Sequence, residues 1–208
     1  MTLLHTIFLV AISAEAMSGA MMAMRRKMDL FGICLIGTVT GLGGGTVRDV
    51  MLGHYPLTWV GHPEYLAFTV GAELAAAFVA RVLHHFRLLF LLVDGLGLVA
   101  FTIIGCNVAL EIGAPTTIVV LSGMITGVFG GLLRDVLCNE VPLVLQRDLY
   151  ATVALVTGIL YVGLLWLELG TTVASLIALT VGFALRVMAV IFHWRLPSFS
   201  AEGIRGFD

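Results

Sequence analysis

Of the 208 residues, 60% are hydrophobic and 12% charged, the net charge is −2 and the mean hydropathy is +1.07. A soluble domain carries about 25% charged residues, so this chain lacks the polar surface that a water-facing protein of 22.2 kDa needs. A soluble enzyme, a nucleic-acid partner and a disordered tail are excluded, and an integral membrane protein remains.

A helix crossing the hydrocarbon needs about 20 mostly apolar residues, and seven such segments follow one another. The first covers residues 3–24 and ends at Arg25, Arg26 and Lys27. Ser13-Ala14-Glu15-Ala16 faintly resembles a signal-cleavage site. No Lys or Arg precedes the segment and its apolar stretch is too long, so it is read as a retained span. The second covers residues 30–52 and the third 65–83, closed by Arg81, His84, His85 and Arg87, a basic edge suited to lipid head groups. The fourth to seventh cover residues 88–110, 116–137, 149–167 and 171–194, before a short polar tail to Asp208. The fold expected is an all-α membrane protein of seven spans without a soluble domain.

Basic residues set the orientation. One side receives Arg25, Arg26, Lys27, Arg81, Arg87, Arg147, Arg195 and Arg205, and the connections on the other side receive none. This predicts a multi-pass protein of the inner (plasma) membrane, its N-terminus outside and its C-terminus cytoplasmic. Arg48, Arg134 and Arg186 fall inside spans, where charge is costly and marks function. Cys34, Cys106 and Cys138 are an odd set in apolar runs, read as small buried hydrophobes. No His/Cys/Asp cluster has metal spacing and no Ser–His arrangement suggests catalysis, so neither enzyme nor cofactor is expected.

The 24 glycines exceed the average share of about 7%, and they carry an internal repeat. Gly37-Thr-Val-Thr-Gly-Leu-Gly-Gly-Gly-Thr-Val-Arg-Asp-Val50 matches Gly123-Met-Ile-Thr-Gly-Val-Phe-Gly-Gly-Leu-Leu-Arg-Asp-Val136 at eight of 14 positions, at a constant offset of 86. The same offset pairs Gly19 with Gly105, Ala23 with Ala109 and Pro56 with Pro142. The chain therefore divides into residues 1–87, a first three-span unit; 88–168, a second; and 169–208, a seventh span and tail. Three is odd, so the second unit is inverted, a design recurrent in solute-moving proteins.

Gly37, Gly41 and Gly45, like Gly123, Gly127 and Gly131, share one helical face and admit a neighbouring backbone. Gly43, Gly44 and Gly130 exceed that need, and predict a kink or break near the membrane centre whose freed carbonyls could coordinate a cation. A phosphate-cradle reading fails, since no Walker lysine follows and no strand precedes. Thr40 and Thr126 add the little polar surface of this zone. Arg48-Asp49 and Arg134-Asp135 must neutralise one another or face water. Adjacent helical residues do not face each other. Each Arg is therefore expected to reach across the repeat interface or to a freed carbonyl, as a structural lock, a pore lining or both. Glu15 and Glu73 lie within spans, while Asp94 and Arg186 lie near enough to a cytoplasmic end to snorkel.

On the motifs Gly43-Gly44-Gly45-Thr-Val-Arg48-Asp49 and Gly130-Gly131-Leu-Leu-Arg134-Asp135, with Pro56 and Pro142 after them, the chain resembles the bacterial trimeric intracellular cation (TRIC) channels, also catalogued as a glycine-transporter membrane family. The resemblance covers all seven spans. It implies a homotrimer in which each protomer encloses a monovalent-cation pore, potassium favoured and sodium permeant, lined mainly by the second and fifth spans. Carried over, Gly41, Gly43, Gly44, Gly45, Gly127, Gly130 and Gly131 would form the kinks. Arg48, Asp49, Arg134 and Asp135, with Thr40 and Thr126, would form the polar constriction. Phe129 stands where the first unit has Gly43, which implies a milder kink in the fifth span. Thr46-Val47-Arg48-Asp49 is not the basic lipid motif of the animal relatives, so phosphoinositide control is not carried over. The alternatives to a channel are a secondary transporter of a small zwitterion such as glycine, and a membrane scaffold.

Overall fold

The computed structural model describes residues 3–80, 86–146 and 149–194. Its helices are α1 (Leu3–Arg25), α2 (Leu30–Leu52), a short α3 (Thr58–Gly61), α4 (Glu64–Val79), α5 (Phe86–Glu111), α6 (Thr116–Leu137), α7 (Tyr150–Trp166) and α8 (Thr171–Ile191), with a 3-10 turn at Leu143–Leu145. Among the described residues all regular structure is helical. Five helices, α1, α2, α5, α6 and α8, are long and apolar enough to cross a membrane, and α7 is a shorter apolar helix. Arg81, His84, His85, Arg147, Arg195 and Arg205 lie outside the described residues, as does the side chain of Arg87.

Local chemistry sets the helix ends. The Asp29 carboxylate accepts from the Gly32 amide at 2.8 Å and caps α2. Gly53, at φ 65°, ends the same helix in the left-handed conformation that glycine adopts without a steric penalty. α1 and α2 then run antiparallel at close quarters: a side chain at Gly19 would strike Gly37 and the Ile36 carbonyl, and Gly41 lies against the Ile12 carbonyl. The second unit repeats the arrangement, with Gly105 against the Ser122 carbonyl and Gly127 against that of Leu98.

The two units meet where α2 crosses α6. A Cβ on Gly44 would collide with the carbonyl of Thr126, and one on Gly130 with the carbonyl of Thr40. Residue 40 thus faces 130 while 44 faces 126, the pattern of an antiparallel crossing at backbone contact. Both helices run unbroken from end to end. Of the kink or break expected at the glycines, a break is absent, and close approach between the helices accounts for the missing side chains. Gly43 lies against the Leu133 side chain.

The first turn of α1, the end of α2 and the end of α5 share one face, where His5, Arg48 and Glu111 line a single cavity. At the opposite face Arg26 donates to the Asn139 carbonyl at 2.8 Å and pairs with Glu140 at 2.9 Å, joining the ends of α1 and α6. α8 seats Gly182 against Thr157 of α7 and Val99 of α5. Phe31, Phe78 and Trp166 point outward, each more than 70% exposed, as a lipid-facing surface requires.

The crossing yields a direct test. Gly44→Ala and Gly130→Ala should each lower stability by about 1–3 kcal/mol through overpacking. Gly163→Ala, at a helical position with open space around it, should be neutral or stabilising by up to about 1 kcal/mol. Thermal unfolding in detergent reads the difference.

Candidate functional site

Two arginine–aspartate centres sit in the last turns of α2 and α6, at opposite ends of the crossing. In the first, Asp49 Oδ1 accepts from Arg48 Nε at 2.9 Å and from Arg48 Nη2 at 2.7 Å. Asp49 Oδ2 accepts from the Thr58 amide at 2.8 Å and its hydroxyl at 2.7 Å, and His54 Nδ1 lies 3.2 Å from Oδ1. Arg48 Nη2 also donates to the Thr58 hydroxyl at 2.9 Å. The charge pair thereby pins the loop that follows α2, and Trp59 Nε1, donating to Thr46 at 3.1 Å, secures it again. Arg48 Nη1 is buried with no hydrogen-bond partner.

Above this centre opens a cavity of about 560 Å³, lined in part by His5, Phe8, Arg48, Thr58, Tyr65 and Glu111. Below it a narrow crevice runs along Gly41, Gly45, Thr46 and Phe101. Phe8, Arg48 and Thr58 border both spaces and so form the partition between them. Phe8 is held there by Tyr65, with ring centroids 4.6 Å apart, and by Phe101 at 6.1 Å.

In the second centre Arg134 Nε donates to Asp135 Oδ1 at 2.8 Å, and Nη1 reaches both Asp94 and Ser18 at 2.5 Å. Asp135 Oδ2 accepts from the Leu143 amide at 2.9 Å, pinning the loop after α6 as Asp49 pins the loop after α2. Arg134 stacks on Phe90 at 4.8 Å. Gly131 brings Tyr150 Oη, Arg134 and Asp94 together. Glu15, Asp94, Arg134, Asp135, Tyr150 and Arg186 are all buried. At the repeat offset, Asp94 corresponds to Phe8 and Ser18 to Ile104. Both of these apolar residues line the cavity beside Arg48. The first centre therefore lacks the second carboxylate and the hydroxyl that lock Arg134.

Several expectations change. Each Arg bonds its own neighbouring Asp; Arg48 does not reach across the repeat interface, whereas Arg134 does so through Ser18. The rule that adjacent residues diverge applies to Cβ directions, and a long guanidinium stem near a helix end curls back past it. Arg134 additionally reaches α1 and α5. The centres lie near the C-terminal ends of their two helices. Asp94 and Arg186 do not snorkel: they are 0% and 1% exposed, facing the protein interior. Thr40 and Thr126 sit at the crossing and donate to carbonyls of their own helices, Ile36 at 2.6 Å and Ser122 at 2.7 Å. Glu15 faces Gly97, and Glu73 fills the space above Gly37, accepting from Thr38 at 3.1 Å. Ser18, Thr58 and Tyr150 were not singled out by sequence. The paired prolines Pro56 and Pro142 did mark the two loops that return to the aspartates.

Similarity to known proteins follows the whole chain. A family model described as Glycine transporter matches residues 5–81 and again residues 91–166. The Escherichia coli K12 UPF0126 inner membrane protein YadS is 33% identical over 202 residues, covering 96% of this chain and 98% of its own. A UPF0126 membrane protein of Vibrio cholerae is 34% identical over 200 residues, covering 96% and 84%. Among solved structures, the TRIC trimeric intracellular cation channel orthologue from Rhodobacter sphaeroides superposes with a TM-score of 0.89 at 32% identity, covering 93% of this chain and 100% of that one. A second, from work on conductance through TRIC cation channels, gives 0.86 at 33% identity, covering 96% and 98%.

The two centres should respond unequally to truncation. Arg134→Ala leaves Asp94 and Asp135 buried without their cation and should cost about 3–5 kcal/mol. Arg48→Ala leaves only Asp49, still held by Thr58, and should cost less. Unfolding of the two variants side by side checks the order.

Proposed function

This chain belongs to the family of the bacterial TRIC channels, whose family model carries the description Glycine transporter, and on that premise we propose that it is a potassium-preferring monovalent-cation channel. The pore lies within each protomer, along α2 and α6. The observation that carries this reading is the cavity whose lining residues Phe8, Arg48 and Thr58 also border a narrow crevice along the glycine face of α2. Asp49 balances Arg48, so the partition does not present a bare positive charge to a cation. Beyond the crossing, Asp94 and Asp135 balance Arg134 and Arg186, so that end also presents no bare positive charge to a cation. In this reading the Arg48 partition is a closed gate, and bending of α2 and α6 at their glycines opens it.

The rest of the architecture supports the proposal. Seven spans form two inverted three-helix units plus α8. The family model begins its two matches at residues 5 and 91, the offset of the glycine motifs, and the antiparallel crossing of α2 and α6 is what such an inversion produces. A homotrimer in the inner membrane follows from the solved relative, named a trimeric channel, and the Escherichia coli relative, named an inner membrane protein. The face carrying Arg25 and Arg26 is cytoplasmic by the positive-inside rule, which puts the 560 Å³ cavity outside.

A second reading has its own support. The outer cavity is lined by both Arg48 and Glu111, a charge pair that suits the carboxylate and ammonium of a small zwitterion such as glycine, moved by alternating access. Recording from purified protein in planar bilayers under a potassium gradient separates the two. The channel gives discrete steps reversing near the potassium potential, and Arg48→Ala raises open probability severalfold. Electrical silence together with glycine uptake into vesicles would overturn it.

A further inference from the structure

The two units match down to the turns that end their helices, and one pair of residues exchanges charge between them. Gly53 and Asn139, at φ 65° and 52°, are equivalent. The next amides, of His54 and Glu140, bond to the Asp49 and Asp135 carbonyls, both at 2.8 Å. The ends of α1 and α5 agree as closely. Lys27 and Gly113 share a positive φ, 59° and 71°, and the Met28 and Ala114 amides bond to the Ala23 and Ala109 carbonyls at 3.1 and 3.0 Å. Position 54 therefore corresponds to 140, and 111 to 25. At one face these positions hold Glu140 and Arg25, which pair at 3.5 Å, with Arg26 joining Glu140 at 2.9 Å. At the other face they hold His54 and Glu111, and both line the 560 Å³ cavity.

His54 and Glu111 form no ion pair among the described residues, and the chemistry of the imidazole accounts for it. His54 Nδ1 lies 3.2 Å from Asp49 Oδ1. An ionised carboxylate only accepts, so in the neutral ring Nδ1 holds the proton and Nε2 is an acceptor, which repels a second carboxylate. One added proton turns Nε2 into a donor, and histidine is the side chain that takes up such a proton between about pH 5 and 8. Glu111 is exposed and bonded only to Asn107 of its own helix, at 2.7 Å, so its side chain can turn. The other titratable and charged groups at this cavity are Arg48 and Asp49 of α2, bonded to each other, Tyr55 of the following loop and His5 of α1. His62 and Tyr65 complete them, with Glu64 of α4 holding His62 at 3.0 Å. We propose that His54 and Glu111 form a proton-operated ion pair, the titratable counterpart of Arg25 and Glu140. In acid the imidazolium joins Asp49 through Nδ1 to Glu111 through Nε2, tying the end of α5 to the loop after α2. The pair holds below the pH at which the imidazole loses its proton and is lost above it. The pair itself stands without conduction. On the channel reading it also takes the cavity's carboxylate away from an approaching cation, so acid on the cavity side lowers the current.

The test is a double-mutant cycle read by thermal unfolding of the purified full-length protein, at about pH 5.5 and about pH 8, on either side of the histidine range. Wild type, His54→Gln, Glu111→Gln and the double variant should show a coupling of several degrees between the two positions in acid, and none at the higher pH. His5→Gln and His62→Gln should leave that coupling in place. A coupling absent in acid, or equal at both pH values, would overturn the proposal, as would its loss in His5→Gln or His62→Gln. If His54→Gln does not fold, Glu111→Gln alone decides: its unfolding temperature falls below the wild type's in acid only, and an equal difference at both pH values sinks the pair. In planar bilayers, acid on the cavity side should lower the wild-type current and leave that of His54→Gln unchanged. Current that ignores acid overturns the clause on conduction. A wild type that passes no current counts against the channel reading alone and leaves the unfolding result standing.

Discussion

The backbone contact between α2 and α6 is the constraint from which the rest of the molecule is laid out. Gly44 sits on the Thr126 carbonyl and Gly130 on the Thr40 carbonyl, so the helices cross with no side chain between them. Because they run antiparallel, their C-terminal turns point to opposite faces, and each turn carries an Arg–Asp pair. The hydroxyls of Thr40 and Thr126 bond back to their own helices, which keeps the contact free of unsatisfied donors. In a hydrocarbon environment, where apolar surfaces have no drive to associate with one another, this close van der Waals contact is what fixes the helices.

The pseudo-equivalence of the two ends makes their differences informative. Both aspartates hold the loop that follows their helix, through the Thr58 amide in one case and that of Leu143 in the other. The arginines diverge. Arg134 has Asp94 and Ser18 on its far side, while the corresponding positions beside Arg48 are Phe8 and Ile104 on a cavity wall. One end is therefore a dense buried ionic cluster, and the other a vestibule of mixed lining, with Phe8 and Ile104 beside Arg48 and with His5 and Glu111 on its wall. A passage joining them meets two barriers of different chemistry, one of aromatic and loop packing and one of charge.

Much of this was readable from the sequence. The apolar runs place the helices to within a few residues: residues 116–137 coincide with α6, and the seventh run overshoots α8 by three. The offset of 86 located the crossing glycines and both charge pairs before any contact was known. What stayed hidden depended on direction, not position. Glycine spacing shows where a backbone can approach but not whether the helix breaks to use the space. Distance from a helix end shows that Asp94 and Arg186 could snorkel, whereas the face they occupy, set by packing against α6 and α7, turns them inward. The reach of a guanidinium around its own helix is a property of side-chain length that Cβ geometry does not convey.

The central claim, that a cation path runs along the glycine face of α2 behind the Arg48 partition, is tested most directly by thiol accessibility at Gly45. That position borders the crevice and has only Arg48 Nη2, at 3.7 Å, within reach of a new side chain. In a background with Cys34, Cys106 and Cys138 replaced, Gly45→Cys should react with a membrane-impermeant methanethiosulfonate during potassium current, and the reaction should block that current. Current that flows undiminished while the thiol stays unmodified would contradict the path.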